Sequence, residues 1–86
     1  MKRTCTNANI ISFDRRMDVS IVAVGDQYDA HFVYTAPGEV RRYSVVHAAS
    51  GTLRRMAIAV GTEHSMNALA AVDDCISGLI SENEIR

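Results

Sequence analysis

The residues in this 86-residue chain that could do chemistry are few and poorly grouped. His31, His47 and His64 have no metal-ligand spacing between them, and neither Cys5 nor Cys75 has a histidine near it in sequence. A zinc site is therefore not expected. Asp29 and His31, two apart in an alternating run, would share a strand face and could form an acid–base pair, although surface neighbours commonly look the same. His64 and Ser65 are adjacent, and adjacent side chains on a helix diverge. Asp73 and Asp74 diverge for the same reason, so they cannot oppose each other as the carboxylates of glycosidases do. The five glycines form no phosphate-cradling loop. A chain this short also has little room for a deep pocket. The expectation is a protein that is not an enzyme and uses no cofactor or metal.

Charge is the more informative pattern. The net value is −1, which gives no bulk argument for nucleic acid or membrane. Residues 1–60 carry eight basic and five acidic side chains, and residues 61–86 carry one basic and five acidic, so the first part is mildly basic and the last is acidic. Eight of the nine basic residues come as neighbours: Lys2-Arg3, Arg15-Arg16, Arg41-Arg42 and Arg54-Arg55. One reading is solvated surface, with arginines offsetting Asp14, Asp18 and Asp29. The other is a basic patch for a phosphate backbone or an acidic protein surface, although neither an aromatic RNA-binding strand pattern nor a GXXG loop accompanies it. The candidate binding residues are His31, Arg42, Arg54 and Arg55 on the basic side, and Asp73 and Asp74 on the acidic side.

The elements that must position these residues centre on 19–46, which reads as a three-stranded antiparallel meander. A β-branched run over 19–24 is followed by Gly25-Asp26-Gln27, a Gly-first hairpin signal. The run over 28–35 alternates with period two, and Ala36-Pro37-Gly38-Glu39 supplies the next turn. The third run covers 40–46. Alternation with even loops gathers Val19, Ile21, Ala23, Tyr28, Ala30, Phe32, Tyr34, Arg41, Tyr43 and Val45 on one face. Ser20, Val22, Val24, Asp29, His31, Val33, Thr35, Val40, Arg42, Ser44 and Val46 form the other. The first face holds the aromatics and must be covered. The second has the composition of a half-solvated or partner-facing surface. Arg41 would then sit at the rim of the core near Tyr34.

Residues 1–9 are polar and read as a frayed arm, 10–13 could form a short extra strand, and Asp14-Arg15-Arg16-Met17 turn into the first firm strand. Beyond the meander, Ser50 is a candidate N-cap for a short helix over 52–60, with Leu53, Met56, Ala57 and Val60 on one stripe and Gly61 as its C-terminal glycine. Met56, Ile58 and Val60 also alternate, so a fourth strand there stays open. Thr62 then caps a longer helix with Met66, Leu69, Val72 or Ala70, Ile76, Leu79 and Ile80 as its stripe, weakened at Gly78 and fraying over 82–86. The fold class expected is α+β: a three- or four-stranded antiparallel meander followed by one short and one longer helix packed on one sheet face, in a single domain.

Hydrophobic residues at 48% and charged residues at 22% argue against disorder. No run approaches a membrane span, and no apolar segment follows Met1-Lys2-Arg3, so a cytoplasmic location is expected. Two distant cysteines make no disulfide framework; reduced thiols are the leading expectation, with a bridge pinning the N-terminal arm to the last helix as the alternative.

In size and layout, with 19–46 as sheet and 52–81 as helix, the chain resembles the small phage-encoded inhibitors of host defence, anti-CRISPR proteins among them. That resemblance implies a stoichiometric inhibitor that binds a CRISPR effector complex where the complex handles nucleic acid. The acidic last helix would meet a basic channel, and the arginine pairs an acidic protein surface. Two other readings stand beside it. One is a small nucleic-acid-associated protein using the arginine pairs. The other is a homodimer or larger homo-oligomer, structural or adaptor in role, that uses the valine-bearing face as its self-interface.

Overall fold

The computed structural model describes residues 2–84, with side chains over 3–79. The chain runs β1 (Lys2–Ser12), β2 (Arg15–Val24), β3 (Gln27–Ala36), β4 (Glu39–Ala48), α1 (Ser50–Glu63) and α2 (Ala68–Glu84). The strands form one antiparallel sheet in the order β1-β2-β3-β4. It is an α+β fold with both helices on one face.

Turn chemistry sets the register. Gly25 has φ 63° as the first residue of a two-residue loop, with Val24 opposite Gln27. That is the position a II′ hairpin reserves for glycine. Gly38 has φ 71° after Pro37, with Ala36 opposite Glu39, the arrangement of a type II turn. Both loops are even, so parity carries across the strands: Val19 faces Phe32, which faces Tyr43, and Ile21 faces Ala30, which faces Val45. The two faces are therefore the two that alternation predicts, and Arg41 stands opposite Tyr34.

Helices cover the aromatic face. Met17, Ile21, Phe32, Leu53, Val72 and Ile76 are all fully buried in the seam between the layers. Leu53, Ala57 and Val60 are the buried stripe of α1, at the 4- and 3-residue steps of one helix face. In α2 the buried residues include Ala71, Val72, Cys75, Ile76 and Leu79.

Three expectations need correction, and the alternative left open at 56–60 closes in favour of the helix. The polar N-terminus is not a frayed arm with a short strand after it: β1 spans eleven residues and pairs with β2 from Lys2 opposite Val24 onward. Arg15, Arg16 and Met17 accordingly lie inside β2 rather than in a turn. Residues 56–60 are helical, so the fourth strand is β1. The helix boundaries also move. Ser50 is the first helical residue, after Ala49, and no side chain caps that end. Gly61, Thr62 and Glu63 continue α1, Asn67 rather than Thr62 caps α2 by accepting the Ala70 N–H (3.3 Å), and α2 runs through 82–84. Residues 85 and 86 of the expected fraying end lie outside the described residues.

Gly61 is there for closeness and not for termination. A Cβ on it would stand 2.6 Å from the Met66 carbonyl oxygen, where the chain folds back between the helices. The Met66 N–H in turn donates to the Gly61 carbonyl (2.9 Å).

The cysteines are joined. A disulfide links Cys5 in β1 to Cys75 in α2, with the Cα atoms 5.5 Å apart. The leading expectation of reduced thiols is thus replaced by the alternative. Cys5 lies opposite Ile21, on the helix-covered face, and α2 crosses above it. No sequence spacing announces this pairing, because it depends on β1 being a strand.

Candidate functional site

One face of the sheet is left uncovered by the helices. Parity places Thr4, Thr6, Ala8 and Ile10 of β1 beside Val22 and Ser20 of β2, His31 and Val33 of β3, and Val40, Arg42, Ser44 and Val46 of β4. No helix lies over them. Ile10 is 72% exposed, Val46 60% and Val40 51%, values far from a core's. Around Thr6, Ala8, Ser20, His31 and Val33 the surface dips into a depression of about 300 Å³. Exposed aliphatics in several places on one face, mixed with hydroxyls and little net charge, suit a protein surface better than a small polar ligand.

The six residues singled out from sequence are divided by the fold. His31 and Arg42 share the open face as diagonal neighbours, since His31 is opposite Ser44 and Arg42 opposite Val33. Arg42 makes no ion pair among the described residues. Arg54, Arg55, Asp73 and Asp74 are in the helix layer, on the other side of the sheet. Arg54 donates to Asp73 (2.9 Å), an ion pair between α1 and α2 with both side chains about half exposed. The predicted basic and acidic sides therefore meet each other at that point. Arg55 donates to Thr52 within its own helix, and Asp74 is exposed.

Asp29 and His31 do not form an acid–base pair. The Asp29 carboxylate instead accepts the backbone N–H of His47 (2.8 Å). There β4 slips register between the pairs made by Tyr28 and Ala30, and His47 takes φ 54°. The bulge turns Ala48 back to the core face, where it is buried.

Sequence reasoning missed a second cluster, at the end of the covered face. His64, just past α1, is the one buried polar residue among those described. Its ring stacks on Tyr34 (centroids 3.8 Å apart) and meets Tyr43 edge-on. The Tyr43 hydroxyl lies 3.0 Å from Glu63 Oε2 and 2.7 Å from His64 Nε2. A carboxylate only accepts, so the Tyr43 proton goes to Glu63, and His64 Nε2 must carry the proton it donates to Tyr43. Arg15 closes the other side: its Nε donates to the Tyr34 hydroxyl (2.7 Å) and its terminal nitrogen to the His64 carbonyl (2.8 Å). Arg41 donates to Glu63 (2.8 Å) and also pairs with Glu39. Partial burial, then the Glu63 carboxylate, hold the Tyr43 hydroxyl above the usual tyrosine range.

Apart from the Arg41–Glu39 pair, these contacts span 19 to 49 residues of sequence, so no local pattern could reveal the cluster. They also decide what the arginine pairs are. On a strand, neighbours point to opposite faces. Arg15 and Arg41 go under the sheet to hold the turn after α1, while Arg16, paired with Asp18, and Arg42 face outward. Each strand pair supplies one structural and one surface arginine.

Among the described residues, no group of three His, Cys, Asp or Glu is placed to hold a metal ion, and no helix is long and apolar enough to cross a membrane. No protein-family model, curated protein or solved structure matches this chain.

Proposed function

We propose that this protein is a non-enzymatic binding module that docks a protein partner through the uncovered face of its sheet. Within that reading it acts as a stoichiometric inhibitor of a complex that handles nucleic acid, as its resemblance to anti-CRISPR-type proteins implies. The supporting observation is the asymmetry of the sheet: one face buried under two helices, the other left with Ile10, Val24, Val40 and Val46 exposed. Burying such area against a partner is favourable by about 25 cal/mol per Å² before association costs are met. His31 and Arg42 would supply direction within an otherwise aliphatic and hydroxylated surface.

The test is affinity capture from nuclease-treated lysate, with the chain as bait. The expected result is retention of a defined protein complex at one-to-one stoichiometry, lost when Arg42→Glu and Val46→Glu are combined on the open face. Arg55→Glu with Asp74→Lys, in the helix layer, should leave it unchanged. Equal capture by the open-face variant would sink this reading. Recovery of nucleic acid alone, lost as salt rises, would replace it with a phosphate-binding role.

A cytoplasmic site of action adds a condition. Reducing cytosol breaks disulfides of this kind, so the layers must hold without the Cys5–Cys75 bridge. Bridges that close long loops contribute about 2–4 kcal/mol. Melting with and without reductant measures this directly. A reduced form that stays folded at 37 °C is compatible with cytoplasmic action, and one that unfolds confines the working protein to an oxidising compartment.

A further inference from the structure

The open face is bounded by two unlike edges. β4 carries Glu39, Arg41 and Arg42, and its ladder is broken by the bulge at His47. Charges and bulges are the devices that keep an edge strand from pairing. β1 has neither over most of its length. Residues 4–12 read Thr-Cys-Thr-Asn-Ala-Asn-Ile-Ile-Ser, with no charge, proline or glycine, and pairing with β2 is regular until the shift between Ile10 and Ser12. In an antiparallel ladder about half of an edge strand's N–H and C=O groups point away from its neighbour. On β1 no described strand meets them.

We propose that β1 is a self-association edge: a second copy adds antiparallel to it about a two-fold axis at Asn7. The sequence is self-complementary in that register. Residues whose numbers sum to 14 stand opposite, so every residue of Lys2–Ser12 finds a partner. Parity is kept, because Thr4 meets Ile10 and Thr6 meets Ala8 on the open face, while Cys5 meets Asn9 and Asn7 meets its own copy on the helix face. Ile10, 72% exposed in one chain, gains a β-branched neighbour. The basic Lys2-Arg3 end of each copy comes to the hairpin end of the other, where Asp14 is exposed. Such a contact is isologous and closes on itself, so it gives a dimer and not a fibre. The helix layers fall on the same side, and the two open faces become one continuous surface. The proposal stands independently of the partner reading above.

Sedimentation equilibrium from micromolar to millimolar concentration tests it, with circular dichroism as the check of folding. The intact chain is expected to reach the dimer mass. Thr6→Lys combined with Ala8→Lys sets like charges directly opposite at two symmetric points, and should weaken dimerisation by about tenfold or more. Thr6→Lys combined with Ala8→Glu makes those same points complementary and should restore it. Val46→Lys, on the open face away from β1, should leave the dimer intact. A chain that stays monomeric at millimolar concentration overturns the proposal, as does a dimer indifferent to the two lysines or one not restored by the charge swap. If the double-lysine variant fails to fold, hydrogen exchange of the intact chain decides: protection of β1 amides that rises with concentration supports the edge, and its absence overturns it.

Discussion

Phe32 and Val33 are neighbours in the chain and have opposite fates. Phe32 is fully buried between sheet and helices, whereas Val33 faces the open side, where Val46 and Val40 are more than half exposed. The same strands, in the same register, build both faces, and only parity separates them. The covered face carries the fold. The open face has no layer over it, and its residues are half-buried or exposed. Aliphatic side chains alone do not distinguish a core face from an uncovered one, but the layer above them does.

The largest expected effect breaks the covered face. Phe32→Ala should cost about 3–5 kcal/mol, against a total of about 4–13 kcal/mol for a chain of this length. Val46→Ala, on the open face, should stay within about 0.5 kcal/mol. Urea unfolding of both variants measures the contrast, and similar losses would mean that the open face is covered in solution.

The helix layer offers a smaller version of the same contrast. Replacing glycine by alanine within a helix ordinarily gains up to about 1 kcal/mol. Gly78→Ala should show that gain, since nothing lies within 4 Å of the added methyl. Gly61→Ala should instead lose about 1–3 kcal/mol, because its methyl would press on the Met66 carbonyl. Opposite signs in the melting temperatures are the expected outcome.

The smallest effect lies at the rim, where Tyr43 belongs to the covered face but reaches toward water. Its folded pKa is raised above the ordinary value of 10.0. The folded state therefore holds this proton more tightly than the unfolded state does. That contribution is fully present below pH about 10 and is lost as pH rises through the raised value. Stability of the native chain should fall in that alkaline window, and Tyr43→Phe should flatten the fall, as followed by denaturant midpoints across pH.

Alternation was enough to assign residues 19–24, 28–35 and 40–46 of β2 to β4 to their faces, because an apolar period of two survives wherever one side is buried; Arg15–Asp18 and the bulge at His47 lay outside it. β1 escaped for the same physical reason. It is an edge strand whose covered side carries Arg3, Cys5, Asn7 and Asn9, all only half-buried, so its alternation is polar with polar. Thr4, Thr6 and the pair Ile10-Ile11 were the available β-propensity signal. The end of α1 was misplaced because Gly61 carries two meanings, terminator and close-approach residue, and only the path of the following turn chooses between them. His31 and Arg42 reached a common face through that same alternation, whereas Arg54 and Asp73 were separated in sequence by the turn that brings them together. The His64 cluster draws on β2, β3, β4 and the end of α1, and nothing local encodes it.

The Cys5–Cys75 bond, 70 residues apart in sequence, also makes the chain between them a covalent ring, with the residues before Cys5 and after Cys75 as its tails. A pull from outside the ring loads only the start of β1 and the part of α2 beyond Cys75; from there it passes from Cys5 to Cys75 through sulfur and spares β2, β3, β4 and α1. An unfolding motor that grips either tail meets a closed loop, which it must thread as a doubled strand. A protease that cuts any one bond between the two cysteines opens the ring but releases no fragment. In an oxidising setting, the connectivity of two sulfur atoms therefore limits how far the opened chain can be extended or dispersed, beside the resistance to opening that the core supplies.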